Sequence, residues 1–258
     1  MKNKSLSCIS CFSWFHFPEN CCVNQRIGKV LFAENGPLTP GDRRAFKSDI
    51  AEINCSYVLD ENHGILLHAY TDGEHEYGSL VQIDVVLRKP GKAARIAELC
   101  HRTMPYPLIV ILHDGENLWL SMAEKRFSRD GKEQLVLELQ TNTGWIGNHF
   151  LPEFSEAADF GKFNKNSYLD LYRHYSNLLD VLKTAEITGT FNVSRITPDE
   201  RRRLLDELHQ VQNQLAELKA KAKNEIEMSN LVELNIKSKR LESQEQDIKK
   251  RLNAAEEI

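Results

Sequence analysis

The last part of the chain constrains the fold most, because residues 199–258 contain neither glycine nor proline. Thr197-Pro198-Asp199-Glu200 comes at the start of this stretch and has the composition of a helix N-terminus. A continuous helix of about 60 residues, rising about 1.5 Å per residue, would form a rod about 90 Å long. The sequence therefore predicts a long C-terminal helix that has no hydrophobic core of its own.

Apolar residues recur in this stretch with alternating spacings of four and three, the pattern of a coiled-coil seam. The first seam consists of Leu204, Leu208, Val211, Leu215, Leu218 and Ala222. The second seam has a different phase and consists of Leu231, Leu234, Ser238, Leu241, Glu245, Ile248 and Leu252. The phase changes between Asn224 and Asn230, where a continuous helix would carry a stutter and a bent one would form a helical hairpin.

The seam needs a partner helix, because an isolated helix buries no apolar surface. We expect self-association or a second protein to supply it, and the alternative is packing along the chain's own domain. The residues predicted to bind the partner are Leu204, Leu208, Val211, Leu215, Leu218, Leu234, Leu241 and Ile248.

Short apolar runs and turn residues alternate through the first 150 residues, which predicts a sheet domain. Helices are predicted at 40–53, after the cap Thr39, and at 92–103, which Pro105 ends. Strands are predicted at 55–59, 65–70, 79–87, 108–112, 118–122 and 134–139.

The predicted class is α+β: a mixed, largely antiparallel sheet with flanking helices, followed by a long C-terminal coiled-coil helix. The predicted divisions are a sheet domain at 1–150, a linker with an amphipathic helix at 151–196, and the coiled coil at 197–258.

Composition limits the function classes. The net charge of −4 argues against a dedicated nucleic-acid clamp, which is normally basic. No apolar run approaches the roughly 18 residues of a membrane span, and the N-terminus lacks the pattern of an export signal. We therefore expect a cytoplasmic protein without membrane contact.

Four cysteines lie in the first 22 residues. Cys8-x-x-Cys11 followed by Cys21-Cys22 is a candidate zinc site, but adjacent cysteines fit one tetrahedral centre poorly. Reduced cysteines that act as small apolar side chains are the alternative. We expect no metal and no cofactor.

The sequence lacks the common phosphate-binding, esterase and zinc-protease motifs, and we expect a protein that is not an enzyme. The alternative is a divergent magnesium-dependent nuclease centred on Asp84, Glu124 and Lys125. Such a site needs two carboxylates and a lysine close together, and Asp84 stands in an otherwise apolar strand. Glu124 and Lys125 are adjacent, however, so they point to opposite faces of a strand.

Basic residues at two strand ends form a candidate phosphate-contact patch if the strands are neighbours: Arg88, Lys89, Lys125 and Arg126. A direct DNA-binding module is accordingly a further alternative. Solvated strand ends and turns are the simpler interpretation of these charges.

Several segments together resemble the bacterial and archaeal DUF4391 family, a domain of unknown function. The most specific is Met104-Pro105-Tyr106-Pro107, which leads into the apolar run at 108–112. The others are Phe17-Pro18 and residues 23–32, 50–59, 123–126 and 231–235. The chain departs from the family pattern at Gly28, where a proline is favoured, and at Val81-Gln82, where a Glu-Ile pair is favoured.

The resemblance implies an association with restriction or anti-phage systems, in which members of the family accompany helicases and DNA methyltransferases. On this basis we expect a non-catalytic accessory or adaptor subunit of a prokaryotic DNA-acting complex. Its expected partner is a helicase or DNA methyltransferase subunit, with homo-oligomerisation through the coiled coil and indirect association with DNA as further expectations.

Overall fold

The computed structural model describes residues 14–35, 38–128, 131–147, 149–163, 166–194 and 196–253. Contacts divide the chain into two compact units, Met1–Leu179 and Asp180–Ile258, and each unit is described by itself. Among the described residues, no helix combines the length and the apolar character that crossing a bilayer requires.

A sheet forms the centre of the first unit. Its strand order in the described residues is β1-β2-β5-β6-β7-β8, and β5 and β6 are parallel while all other neighbours are antiparallel. The strands are β1 Cys22–Arg26, β2 Ile50–Leu59, β5 Leu80–Leu87, β6 Leu108–His113, β7 Leu118–Ser128 and β8 Gly131–Asn142. A separate hairpin joins β3 Tyr70–Thr71 to β4 Glu76–Tyr77. The mixed, largely antiparallel sheet is therefore confirmed, although only Tyr70 of the predicted strand at 65–70 belongs to a strand, the two-residue β3.

The helices flank the sheet in the first unit and dominate the second. They are α1 Lys29–Asn35, α2 Pro40–Ser48, α3 Ala93–Thr103, α4 Leu151–Ala157, α5 Tyr168–Thr188, α6 Pro198–Asn224 and α7 Met228–Asn253.

Helix α2 begins as predicted and ends earlier. Thr39 accepts the Asp42 backbone N–H at 3.2 Å, and the Asp42 carboxylate accepts the Thr39 backbone N–H at 3.0 Å, which completes a capping box. The prediction that this helix continues to residue 53 is wrong, because Ile50 and Ile53 belong to β2 and pair with Leu87 and Val85 of β5. Pairing along a central strand outweighs the helical spacing of the two isoleucines.

The parallel step between β5 and β6 is made by α3, as expected of a crossover connection. Ile96, Leu99 and Cys100 of this helix pack on one face of the sheet, in a core with Ile83 and Val110. Alternation along the strands places neighbouring residues, including Asp84, on the other face. Aromatic residues cluster in the first unit as well: the ring centroids of Phe15 and Tyr175 are 4.7 Å apart.

The second unit contains α6 and α7, where a single rod was predicted. The helix start is confirmed, because Thr197 accepts the Glu200 backbone N–H at 3.3 Å. Residues 225–227 separate the two helices, within the segment where the seam changes phase. The helices pack antiparallel, since Gln212 bonds to Glu245 at 3.1 Å and Arg251 contacts Glu200 at 3.3 Å. The phase break is therefore the bend of a helical hairpin.

Candidate functional site

Lys125 lies on β7, next to the short segment that connects the end of α3 to the start of β6. Its ammonium group donates to the carbonyl of Met104 at 2.8 Å and to that of Tyr106 at 2.7 Å. Burial lowers the pKa of Lys125 to about 7. The Met104-Pro105-Tyr106-Pro107 segment is thus a rigid corner held by a buried amine, and both proline peptide bonds are trans.

A second buried polar group lies beside Lys125. His101 on α3 is 3.0 Å from the Ser121 hydroxyl, and Gln140 donates to the same hydroxyl at 3.3 Å. Burial, then the charge of Lys125, holds the pKa of His101 well below its usual range. The histidine is therefore neutral, and within the described residues its Nδ1 atom has no hydrogen-bond partner. This cluster could not be predicted from the sequence, because its members come from α3, β7 and β8.

Asp84 lies on the opposite face of the sheet. Its carboxylate accepts hydrogen bonds from the Ser56 hydroxyl and from the Gln82 amide, the latter at 3.1 Å. No arginine or lysine of the described residues forms an ion pair with it. Burial is the largest effect and raises the pKa of Asp84 to about 6.

The structure does not bring the candidate nuclease residues together. Lys125 lies on the α3 face of the sheet and Asp84 on the other. Asp84 shares a transverse row with Ile111 and Leu120, and Glu124 lies four residues beyond Leu120. At about 3.3 Å per residue and about 4.8 Å per strand, Glu124 is on the order of 16 Å from Asp84. The three side chains therefore share no common centre for a metal ion.

Other metal arrangements are equally lacking in the described ranges, where no three histidine, cysteine or carboxylate side chains are grouped as ligands. Cys8 and Cys11 lie outside the described residues. Cys21 is buried and Cys22 is exposed, so the two adjacent thiols face different surroundings.

The candidate basic patch is also divided. Arg88 and Lys89 follow the end of β5, whereas Lys125 and Arg126 lie near the end of β7, at the opposite end of the sheet. Arg126 pairs with Glu138 at 3.0 Å, and Lys125 is buried against two carbonyls. These four residues therefore cannot contact one phosphate group together.

A different group of cations forms where β1 and β5 end and β2 begins. Lys29, the first residue of α1, and Arg88 both donate to the carbonyl oxygen of Ile50. Arg26, the last residue of β1, is close enough that its charge acts on Lys29. The sequence did not reveal this group, since its members are separated by as many as 62 residues and only the sheet register brings them together.

The predicted partner-binding residues of the seam lie inside the helical hairpin. Leu204, Leu208, Val211 and Ile248 are buried in one core, and Leu241 packs against it. Leu215 is also buried, whereas Leu218 and Leu234 are partly buried. The seam therefore packs on the chain's own α7 rather than presenting a free surface to a partner.

Arg201 and Arg202, near the start of α6, make polar contacts within the second unit. Arg201 is buried and donates to the Asn192 carbonyl at 3.0 Å, while Arg202 pairs with Asp180 at 3.3 Å. Burial raises the pKa of Asp180, and the neighbouring arginines oppose this shift. These bonds fix the segment that leads from α5 into the hairpin.

A second apolar stripe runs along the outside of the hairpin near its bend. Ile226 is 95% exposed, Met228 74%, Val232 52% and Ile236 49%. The last three are spaced by four residues and span a sector of roughly 80° on α7. Buried Ser238, Ile248 and Leu252 mark the face of α7 that packs on α6, roughly 150° away. We call Ile226, Met228, Val232 and Ile236 the outer stripe.

The fold and these sites define an α+β sheet protein with a helical hairpin, in which the polar groups of the sheet are buried in separate places. The family model described as "Domain of unknown function (DUF4391)" matches residues 15–244. The chain therefore belongs to the DUF4391 family, as the sequence resemblance predicted. No curated protein and no solved structure matches the chain.

Proposed function

We propose that this chain is a non-catalytic adaptor subunit that associates through the outer stripe of its helical hairpin. The observation that carries the proposal is the exposure of Ile226, Met228, Val232 and Ile236, whereas the seam residues of the hairpin are buried or partly buried. Apolar side chains grouped on an exposed helix face favour a protein interface.

Burial of this stripe favours association. Each fully buried side chain of this size contributes roughly 1.5–3 kcal/mol. In a symmetric dimer every residue counts twice, so even the half-exposed Val232 and Ile236 add to a substantial total. The hairpin core stays intact on association, because the stripe and the seam lie on different faces of α7.

The occupant we propose is the same stripe of a second copy, with the two α7 helices antiparallel. Glu225 and Glu227 lie at one end of the stripe and Lys239 and Arg240 at the other. In the described part of the chain, neither Lys239 nor Arg240 forms an ion pair. An antiparallel pairing about a two-fold axis near Val232 and Ile236 places the acidic end of one copy beside the basic end of the other, and opposite charges across an interface fix its register.

The complex we propose for this adaptor is a cytoplasmic, DNA-acting one with a helicase or DNA methyltransferase subunit. The support is the resemblance of the family members to accessory proteins of restriction and anti-phage loci. Mass spectrometry of material purified with the tagged chain from its host tests this part, and the absence of both kinds of subunit contradicts it.

Co-expression of two differently tagged copies tests the association itself. Each copy should recover the other, and Val232→Asp with Ile236→Asp should abolish recovery because it places charge in the apolar interface. Gln210→Asp with Gln214→Asp is the matched control: it has the same spacing and charge, at exposed positions of α6. Lys239→Glu with Arg240→Glu should weaken recovery. Equal recovery by the stripe variant and the control contradicts the proposal.

A further inference from the structure

Three cations meet at one end of the sheet: Arg26 ends β1, Lys29 begins α1 and Arg88 directly follows β5. Lys29 and Arg88 share the carbonyl oxygen of Ile50 as an acceptor, and Arg26 lies within electrostatic reach of Lys29. Arg26 and Arg88 are exposed and Lys29 is partly buried. The backbone fixes this arrangement, because Ile27 donates to the carbonyl of Ile53 at 2.8 Å and Arg88 donates to that of Asp49 at 2.6 Å.

No carboxylate of the described residues forms an ion pair with Arg26, Lys29 or Arg88. Burial lowers the pKa of Lys29, and the charges of Arg88 and Arg26 lower it further. An ammonium has three donors and a guanidinium five, so one shared carbonyl leaves most of them unused. Like charges held together in this way favour the binding of an anion with several acceptor oxygens.

We propose that Arg26, Lys29 and Arg88 form a binding site for a phosphate group. A phosphate presents several acceptor oxygens, and arginine donates to such a group in a bidentate manner. The site is independent of the outer stripe, because its residues belong to the first compact unit. Its phosphate belongs either to a nucleic-acid backbone or to a free phosphate ion, and the chemistry of recognition is the same.

Binding of the full-length chain to a fluorescein-labelled DNA duplex, measured by anisotropy at several salt concentrations, tests the site. Each phosphate contact contributes about 0.9 to the slope of log affinity against log salt. Because the three residues bind one phosphate group, Lys29→Ala with Arg88→Ala should reduce the slope by up to about 0.9, and Arg26→Ala should reduce it by no more than this. The Arg26 side chain has no hydrogen bond within the described residues, so its variant decides the question if the double variant does not fold.

The matched control is Lys221→Ala with Lys223→Ala, which removes the same charge at exposed positions of α6. Isothermal titration with inorganic phosphate separates the two sources. Binding of the duplex that depends on Arg26, Lys29 and Arg88 identifies a nucleic-acid backbone. Binding of inorganic phosphate alone, with the same dependence, identifies a free phosphate ion. If neither probe binds, or if the site variants and the control bind equally, the proposal is overturned.

Discussion

Burial and ionisation conflict at Asp84. Its carboxyl group is buried, its hydrogen-bond donors among the described residues are Ser56 and Gln82, and its pKa is raised to about 6. Because the folded-state pKa exceeds the unfolded value, the folded protein binds the proton more tightly. The associated stability is fully present below the unfolded pKa and is lost as the pH rises through about 6.

Asp84→Asn should therefore stabilise the protein at neutral pH, because the amide is never ionised. A pKa shift of two units corresponds to about 3 kcal/mol, which is the upper limit of the gain. Urea denaturation at about pH 7 and about pH 4 measures it, and the gain should vanish at the lower pH. A variant that is less stable than the parent at neutral pH would show that the ionised carboxylate supports the fold.

Lys125 shows the opposite dependence on pH. Its folded-state pKa is lowered to about 7, so above that pH the unfolded chain binds more protons and stability rises with pH. Lys125→Met removes this pH dependence and leaves two carbonyls without their donor. The stability of the parent relative to the variant should therefore increase between about pH 7 and about pH 9, by up to about 1.4 kcal/mol per unit.

Urea denaturation of the parent and this variant at the two pH values checks the second prediction. Lys47→Met, at an exposed position of α2, is the control and should show no such change with pH. A constant difference would mean that Lys125 keeps its proton in the folded state.

The sequence identified Asp84 and Lys125 as candidate site residues, but it did not show which groups surround either side chain. A carboxylate in an apolar strand is visible from spacing alone. The partners of Lys125 are carbonyls 19 and 21 residues away, brought near by the end of α3. His101 and the group of Arg26, Lys29 and Arg88 depend in the same way on packing and register, which a single sequence does not show.

Local sequence signals predicted helix starts correctly where the signal fits only one kind of secondary structure. The cap at Thr39 and the start of α6 at Thr197 are confirmed, because capping depends on neighbouring residues only. The end of α2 was missed, because Ile50 and Ile53 fit both a helix and a strand and the distant β5 decides between them. The phase change near Asn224 marked the bend of the hairpin, but not which face would stay exposed.

The packing of the seam between α6 and α7 can be tested by placing charges in it. Leu208→Asp with Leu215→Asp places two charges in the core between α6 and α7, where each lost leucine costs roughly 2–5 kcal/mol. The helices should unfold, and circular dichroism should report a loss of helical signal at 222 nm. Gln210→Asp with Gln214→Asp should keep the full signal, and an equal signal from both variants would contradict the intramolecular packing of the seam.

For the whole molecule, the class and the family followed from the sequence, while the role of the C-terminal region changed with the structure. The seam leucines were expected to bind a partner, and they bind α7 instead. The surface proposed for association is now the outer stripe, whose residues sit at positions that the heptad pattern did not include.

Sedimentation equilibrium of the full-length chain tests the central proposal most directly. The parent protein should sediment with the mass of a dimer and dissociate on dilution, since the stripe is a limited surface. Val232→Asp with Ile236→Asp should sediment as a monomer with an unchanged helical signal, while Gln210→Asp with Gln214→Asp should remain a dimer. A parent protein that is monomeric at every concentration, or a stripe variant with the mass of the parent dimer, would contradict association through the outer stripe.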